Sequence, residues 1–241
     1  MRTPNDPGLA QAQPLAGERV LVTGGASGLG AAVVDAVRGA GGKPYVLDIR
    51  EPSDGVPAVA VDLSDTRAAE RAATELAEHA GGLDAVITAA GIDLPGQLAD
   101  VPGPDWERVV QVDLLAPAAV IRACLPYLVS SHGHVVTVAS TLGLRALSDA
   151  TAYCAAKFGV VGFTRALAVE LAGRVDVTLL IPGGMRTGFF EGRTEQYRPG
   201  ADAVLNDPAN VARAVLFALS QPPGCAVREL VIAPDVEPSY P

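Results

Sequence analysis

The chain has 241 residues, a length that suits one large α/β domain. Hydrophobic residues make up 49% of it and its mean hydropathy is +0.28, so it can bury a sizeable core. The formal net charge is -9 and the isoelectric point is about 4.8, an acidic balance that argues against nucleic acid or an anionic membrane as a partner.

The N-terminus and the cysteines predict a cytoplasmic protein. Residues 1–14 have no apolar core, so we predict a flexible tail over residues 1–16 rather than a signal peptide. No run of about 20 apolar residues follows, which predicts that no segment spans a membrane. Cys124, Cys154 and Cys225 lie far apart without metal-ligand spacing, as suits free thiols in a reducing compartment.

A glycine-rich turn follows the first predicted strand. The strand, 19–23, runs into Thr23-Gly-Gly-Ala-Ser-Gly28-Leu-Gly30, and a helix is predicted over 31–40. Glycines remove the Cβ atoms that would obstruct a pyrophosphate, and the helix N-terminus faces its charge. A lone glycine cluster is often only a tight turn, but the flanking strand and helix favour a dinucleotide site here.

The second predicted strand, 44–48, ends in an acid. Asp48 lies close to where a carboxylate would meet an adenosine ribose. A carboxylate accepts from both ribose hydroxyls and repels a 2′-phosphate, which favours NAD over NADP. Arg50 lies nearby, and a solvated strand-end Asp is the alternative interpretation.

The remaining pattern alternates strands with helices. It therefore predicts a parallel sheet with helices on both faces. Asp65 and Asp207 are predicted helix N-caps, and Pro117 and Pro126 suggest a kink or break in a long helix. The further predicted strands are 58–61, 83–88, 133–140, 175–181 and 227–232, and the further helices are 65–79, 105–130, 149–172 and 207–220.

Ser140, Tyr153 and Lys157 form a candidate acid/base set. Ser140 ends a strand, and Tyr153 and Lys157 are four residues apart on a helix, so their side chains share one face. A phenol titrates near pH ~10, and a close cation lowers that value. For the Tyr–Lys pair alone, a chance arrangement on one helix face is an open alternative.

Taken together, these residues resemble the short-chain dehydrogenase/reductase family in its single-domain form. The resemblance rests on the glycine turn, Asp62, Ala90-Gly91, Ser140, Tyr153 with Lys157, and Pro182-Gly183 with Thr187. It implies a Rossmann-type, doubly wound parallel sheet of about seven strands in the order 3-2-1-4-5-6-7. The domain would cover residues 17–241, with a lid at about 188–206.

The resemblance also implies an oxidoreductase that interconverts a ketone and a secondary alcohol. Tyr153 would be the acid or base, Ser140 would stabilise the carbonyl oxygen, and Lys157 would hold the ribose and lower the pKa of Tyr153. Asp48 would meet the adenosine ribose and Asp62 the adenine. The full implied set for NAD is Thr23, Gly24, Ser27, Gly28, Leu29, Gly30, Asp48, Ile49, Asp62, Leu63, Ala90, Gly91, Pro182, Gly183 and Thr187.

Two departures from the family pattern concern the catalytic end of the sheet. Thr88-Ala89 replaces a usual Asn-Asn, and Asp113 replaces an Asn that supports a proton relay to the catalytic Lys. The Asp113 carboxylate would stabilise the Lys157 ammonium but partly cancel its effect on Tyr153. The hypothesis is that Tyr153 has a higher apparent pKa than it would have with Asn at position 113. The alternative is that the replacement has no effect.

The expected substrate is a medium-sized apolar ketone or alcohol. The implied contacts are mostly apolar, and Arg145 is either a receptor for an acidic group or a surface residue. Relatives assemble through long helices, which implies a homodimer or homotetramer. Two other functions stay open: an epimerase or dehydratase that uses bound NAD, and a non-catalytic NAD-binding regulator. The substrate candidates are Leu142, Arg145, Met185, Phe189 and Phe190, with Asp93, Leu94 and Leu144 beside them.

Overall fold

A seven-stranded parallel sheet organises the protein. The computed structural model describes residues 13–52, 55–237 and 239–240. Its strand order is β3-β2-β1-β4-β5-β6-β7, which confirms the predicted doubly wound topology. The strands are β1 Arg19–Thr23, β2 Lys43–Asp48, β3 Ala58–Ala60, β4 Ala85–Thr88, β5 His134–Val138, β6 Asp176–Pro182 and β7 Glu229–Ile232.

Helices cover both faces of this sheet, as predicted. The helices are α1 Gly28–Gly39, α2 Thr66–His79, α3 Gly103–Val110, α4 Ala116–Ser131, α5 Thr151–Glu170 and α6 Pro208–Leu219. On one face, Leu76 of α2, Val120 of α4 and Leu167 of α5 join one buried cluster. On the other face, Val33 of α1 and Val215 of α6 join a second cluster. The central strands are therefore buried from both sides, which explains their nearly continuous apolar sequences.

The long helix predicted over 105–130 is interrupted before its first proline rather than at its second. One turn of π-helix, Gln111–Leu115, separates α3 from α4, and Ala116 N–H donates to the Gln111 carbonyl. Pro117 has no N–H to donate to the carbonyl of residue 113, which disfavours a regular α-turn there. Pro126 lies inside α4 without ending it.

The described chain begins against α1. Leu15, within the predicted tail, is only 4% exposed, and its N–H donates to the Ala40 carbonyl. Residues 1–12 of the predicted tail lie outside the described residues. Two helical stretches, Gly103–Ser131 and Thr151–Glu170, have a length and hydropathy that would suit a membrane span, but core helices meet the same criteria and about half of each apolar window is buried in the fold.

The strand register places the candidate site at one edge of the sheet. Thr23 of β1 pairs with Thr88 of β4, and Thr88 pairs with Thr137 of β5. Because the strands are parallel, the segments that follow them leave from the same carboxyl edge. The strand order also reverses direction between β1 and β4, the position at which such sheets form a ligand crevice.

Candidate active site

The structure brings Ser140, Tyr153 and Lys157 together at the carboxyl edge of β5. Ser140 follows the strand and caps a short turn, Thr141–Gly143, where its Oγ accepts from the Leu142 N–H at 3.1 Å. A Cβ on Gly143 would lie 2.8 Å from the Lys157 carbonyl oxygen, so only glycine lets this turn pack so closely on α5. The close packing places the Ser140 hydroxyl in a hydrogen bond with the Tyr153 phenol.

Tyr153 lies in a nearly closed apolar environment. Its side chain is 9% exposed and packs with other apolar residues, namely Ile92, Trp106, Val109, Leu142, Ala152 and Phe189. Burial raises the pKa of the phenol above its usual value, Lys157 lowers it, and Asp113 raises it again. The expected lowering of the Tyr153 pKa by Lys157 is therefore present but outweighed by burial.

The side chain of Lys157 is held by one hydrogen bond and one ion pair. Its Nζ donates to the Val138 carbonyl at 3.1 Å and lies 3.1 Å from Asp113 Oδ2. Burial lowers the pKa of the ammonium, but Asp113 and Tyr153 more than offset this and leave it above its usual value. Lys157 is consequently a fixed cation 5.5 Å from the centre of the Tyr153 ring.

Asp113 is completely buried on the π-helical turn. Its Oδ1 accepts from the Ile92 N–H at 2.8 Å, which ties the turn to the segment after β4. Burial raises the pKa of this carboxyl, and Lys157 opposes the shift. A Cβ on Gly91 would lie 3.0 Å from Asp113 Oδ2 and 3.5 Å from Lys157 Nζ, so glycine leaves room for the ion pair.

The predicted nucleotide residues converge beside this centre. Gly24 has a φ of +71°, and a Cβ there would lie 2.8 Å from the Cα of Ala90. The Ala90 N–H donates to Thr23 Oγ1 at 3.1 Å. A Cβ on Gly30 would lie 2.1 Å from the Gly24 carbonyl oxygen. These close approaches require glycines and bring the turn after β1 against the segment after β4.

The Pro-Gly segment after β6 meets the same turn. A Cβ on Gly28 would lie 3.5 Å from Thr187, so both lie at one edge of the sheet. The side chain of Glu237, from the C-terminal segment, accepts from the Gly184 N–H at 2.9 Å. A Cβ on Gly183 would lie 2.4 Å from Glu237 Oε2, so this turn is tightly packed.

Asp48 is placed at the end of β2 as predicted, but backbone amides already use its carboxylate. Oδ2 accepts from Ala26 N–H and Oδ1 accepts from Arg50 N–H, each at 3.0 Å. The Asp48 side chain is thus a structural brace for the glycine turn, and its negative charge is fixed there. Arg50 extends along the same turn, where its Nη2 donates to Ser27 Oγ at 3.1 Å.

Asp62 and its neighbours differ in how accessible they are. Asp62 Oδ1 accepts from Ser64, and its Oδ2 accepts from Arg108 Nη2 at 3.0 Å, while 41% of its side chain is exposed. Hydrogen bonds from Ser64 hold the pKa of Asp62 below its usual value, and burial opposes them. Leu63 is buried, and Ile49 is 61% exposed. The exposed apolar side chain of Ile49 could cover an adenine ring.

The predicted substrate residues divide into three groups. Leu142 and Phe189 pack with Tyr153, and the Phe189 ring lies 5.6 Å from the Tyr153 ring. Phe190 stacks edge-on against Phe189 at 5.4 Å, one ring farther away. Met185 instead packs with the core of the α1 and α6 face, and Arg145 is exposed.

Sequence reasoning did not identify one buried ion pair beside these rings. Arg193 Nη2 lies 3.3 Å from Asp93 Oδ2, and the two side chains are 9% and 6% exposed. The residues are 100 positions apart and follow no shared periodicity, so their contact had no sequence signal. Trp106 was also missed as a site residue, although its Nε1 donates to Thr151 Oγ1 at 3.1 Å next to Tyr153.

Comparison with known proteins found a matching family and similar chains. The family model described as short chain dehydrogenase matches residues 18–198. The diol dehydrogenase LinX of Sphingobium indicum, named for 2,5-dichloro-2,5-cyclohexadiene-1,4-diol, is 32% identical over 87% of this chain and 91% of its own. The glycine betaine reductase ATRR of Emericella nidulans is 30% identical over 93% of this chain, which spans only 19% of that protein.

Among solved structures, an alcohol dehydrogenase from Thermococcus sibiricus complexed with 5-hydroxy-NADP superimposes with a TM-score of 0.79. It is 21% identical, and the match covers 89% of this chain and 95% of that one. At that identity the likeness is evidence for the fold alone.

Proposed function

The chain belongs to the short-chain dehydrogenase family, and on that basis we propose that it is an NAD(H)-dependent oxidoreductase that interconverts a ketone and a secondary alcohol. The observation that carries the proposal is the buried arrangement of Tyr153, Ser140 and Lys157 beside the glycine turn. A phenol, a hydroxyl and a fixed cation at that edge of the sheet form a set suited to moving one proton at a carbonyl oxygen.

The proposed roles follow from the contacts of each side chain. In ketone reduction, Tyr153 gives its proton to the carbonyl oxygen while Ser140 donates a hydrogen bond to it. Lys157 keeps positive charge near the phenolate that forms, because Asp113 and the Val138 carbonyl hold its ammonium in place. The nicotinamide, when bound, supplies or accepts the hydride. Alcohol oxidation uses the same groups in the reverse sense.

The residues that would hold the nucleotide lie near the carboxyl edge of the sheet. Thr23, Gly24, Gly28 and Gly30 would face the pyrophosphate, and Thr187 the carboxamide. Asp48 supports NAD over NADP, since its fixed charge would repel a 2′-phosphate. Arg50 favours NADP, because it lies on the exposed Ser27 side of the turn.

The proposed substrate is a medium-sized, largely apolar molecule, because Leu142, Phe189 and Phe190 border Tyr153. The proposed assembly is a homodimer or homotetramer. Exposed apolar side chains on α5, Phe158 at 45% and Val169 at 80%, support contact through that helix. A cytoplasmic location stays a prediction from the free cysteines.

Two other functions give different results in one assay. A non-catalytic NAD-binding protein would bind the nucleotide without turnover of any substrate. An epimerase or dehydratase would convert its substrate with no net change in NADH absorbance. Buried Tyr153 and its hydrogen bond to Ser140 favour the oxidoreductase, since binding alone needs no phenol there.

The test is turnover of a panel of ketones and alcohols with each nucleotide, in the wild type and in Tyr153→Phe. We expect Tyr153→Phe to lower kcat by about 100-fold or more, while nucleotide affinity changes little. Tyr45→Phe is the matched control, because Tyr45 packs against His79 on another part of the sheet. Nucleotide binding without net oxidation or reduction across the panel would contradict the proposal.

A further inference from the structure

A buried arginine lies next to the candidate catalytic residues. The Arg193 side chain is 9% exposed, and its Cζ lies 4.5 Å from the centre of the Phe189 ring and 4.9 Å from that of Phe190. Within the described residues, neither Nε nor Nη2 makes a hydrogen bond. Arg193 is therefore a desolvated guanidinium held by two aromatic rings.

Along one edge of the guanidinium, the two nitrogens Nε and Nη2 therefore have no hydrogen bonds within the described part of the chain. Nε and Nη2 lie on the same side of the planar group and form the fork that matches the two oxygens of a carboxylate. Burying such donors without hydrogen bonds is costly. The buried Arg193 therefore points to a hydrogen-bond acceptor that binds at Nε and Nη2. The two rings pack against the guanidinium and restrict its movement, which reduces the entropy lost when an anion binds.

Asp93 balances the charge of Arg193 but does not complete its hydrogen bonding. Its Oδ2 lies 3.3 Å from Nη2, within ion-pair distance, yet Nη2 has no hydrogen bond. Burial lowers the pKa of Arg193 and raises that of Asp93, so both charges are destabilised by their surroundings. A better-aligned acceptor at this edge would supply the missing hydrogen bonds and offset the cost of burying the guanidinium.

The guanidinium lies within reach of a substrate bound at Tyr153. Phe189 touches both groups, with its ring 5.6 Å from the Tyr153 ring and 4.5 Å from Arg193 Cζ. The centre of the Tyr153 ring and Arg193 Cζ therefore lie no farther apart than the sum of these two distances. An oxo acid whose length matches the separation of the phenol oxygen and the guanidinium can place its carbonyl at Tyr153 and its carboxylate at Arg193.

We propose that Arg193 binds the carboxylate of the substrate, so that the enzyme acts on oxo acids and the corresponding hydroxy acids. The inference rests on the proposed function and names the substrate class for the same site. It assigns the acidic-group role to Arg193 in place of Arg145, which is exposed. Asp93 then holds the arginine in place until the substrate carboxylate binds at the Nε and Nη2 edge.

The rival explanation is that Arg193 and Asp93 only latch residues 188–206 over Tyr153. A latch would serve every substrate equally, charged or neutral. A carboxylate receptor would serve acids alone. The measurable difference is the ratio of kcat/KM for an oxo acid to that for its methyl ester, because the ester has the same carbonyl and almost the same shape without the charge.

The experiment uses the full chain and a series of straight-chain oxo acids with increasing separation of carbonyl and carboxylate, each paired with its methyl ester. We expect the wild type to favour the acid at one chain length, and Arg193→Gln to lower the acid-to-ester ratio by about 10-fold or more. Arg193→Lys should restore part of it. Arg145→Gln is the comparison variant. A lower acid-to-ester ratio in Arg145→Gln but not in Arg193→Gln overturns the proposal.

A second variant keeps the test informative if Arg193→Gln does not fold. Asp93→Asn removes the competing carboxylate, so the acid-to-ester ratio should rise. A latch predicts instead that Asp93→Asn lowers turnover of acid and ester together, and that result overturns the proposal. An unchanged ratio in both variants overturns it as well.

Binding without turnover separates this inference from the proposed function. Trp106, the single tryptophan of the chain, packs in the Tyr153 cluster and reports ligand binding by fluorescence. Hexanoate should bind more tightly than hexanamide, and Arg193→Gln should remove that preference. If this holds while no ketone, oxo acid or ester is turned over, the proposed function fails and the carboxylate site stands. If ketones are reduced but neither kinetics nor binding favours the carboxylate, the inference fails alone.

Discussion

Lys157 Nζ lies 3.1 Å from Asp113 Oδ2, and the two side chains are 4% and 0% exposed. The catalytic cation candidate thus has a carboxylate partner, as the sequence led us to expect, where the family pattern has a neutral amide. In so buried a pair, each charge is felt strongly by its neighbours. The pair stabilises the ammonium but weakens the help that Lys157 gives to the Tyr153 phenolate.

The first prediction is that Asp113→Asn shifts the pH profile of catalysis to lower pH. Burial and Asp113 both raise the pKa of Tyr153, while Lys157 lowers it, so removing the carboxylate should lower this pKa. Alcohol oxidation needs the phenolate, and its rise with pH should begin at lower pH in the variant. Ketone reduction needs the phenol, and its loss at high pH should also begin earlier.

Profiles of kcat/KM against pH in both directions provide the measurement. The other charged groups facing the phenol, Lys157, Asp93 and Arg193, stay in place in this variant. Asp105→Asn, on the first turn of α3, is the control for loss of one negative charge. Superimposable profiles for wild type and Asp113→Asn would show that Asp113 is a neutral replacement.

The local parts of this site could be predicted from sequence, and the non-local parts could not. The first strand, the glycine turn, the helix and the second strand follow one another directly in the sequence. The positions of Thr23, Gly30 and Asp48 were therefore predictable from local patterns. The spacing of Tyr153 and Lys157 likewise placed them on one helix face. The direction in which the pKa of Tyr153 shifts depends on its burial by Ile92, Trp106 and Phe189. These residues come from three separate segments, so the sequence does not show that they meet.

The second prediction concerns the close approach at Gly30. An alanine Cβ there would lie 2.1 Å from the Gly24 carbonyl oxygen, a backbone atom that cannot move without shifting the turn. Gly30→Ala should therefore weaken nucleotide binding by about 100-fold and lower the melting temperature. Nucleotide titration and thermal unfolding measure the two effects.

Gly39→Ala is the matched control on the same helix, because a Cβ there meets no atom within 4 Å. It should leave nucleotide binding unchanged and, at the end of a helix, should not destabilise the protein. Equal behaviour of the two alanine variants would contradict the role assigned to the glycine turn.

The third prediction concerns the choice between NAD and NADP. The Asp48 carboxylate is fixed by Ala26 and Arg50 amides at the end of β2, so its charge should exclude a 2′-phosphate. Wild-type enzyme should prefer NADH, and Asp48→Asn should raise the ratio of kcat/KM for NADPH to that for NADH by about 10-fold. The measurement is initial rates with both nucleotides.

Substitution of Arg50 tests whether its cation supports NADPH binding once the Asp48 charge is removed. In the Asp48→Asn background, Arg50→Ala should reverse the gain with NADPH, because the arginine beside Ser27 is then the cation available to the added phosphate. A wild-type preference for NADPH, or a ratio that does not respond to Asp48→Asn, would assign the braced carboxylate a purely structural role.

The fourth prediction is a pH dependence of stability that comes from His134, at the start of β5. Burial lowers the pKa of its imidazole to about 4. Its Nε2 lies 2.7 Å from Thr178 Oγ1, which itself donates to the Val227 carbonyl at 2.6 Å. The hydroxyl proton of Thr178 is thus committed, so neutral His134 donates from Nε2 and has no need of a second proton.

The sign of the effect follows from the two pKa values. Unfolded His134 binds a proton below about 6.5, whereas the folded imidazole stays neutral until about 4. The unfolded state therefore binds more protons in this window, and the free energy of unfolding should fall as pH falls, by up to about 1.4 kcal/mol per pH unit. Asp176 opposes the shift in the pKa but does not reverse it.

His134→Gln isolates this contribution, since an amide keeps a donor for Thr178 and does not titrate. Urea unfolding between pH 7 and pH 5, at fixed protein concentration, should show a smaller loss of stability in the variant than in the wild type. His132→Asn is the control for loss of a neighbouring histidine, because residue 132 has a φ of 52° that asparagine tolerates. Equal slopes for wild type and His134→Gln would mean that His134 binds its proton equally well in the folded and unfolded states.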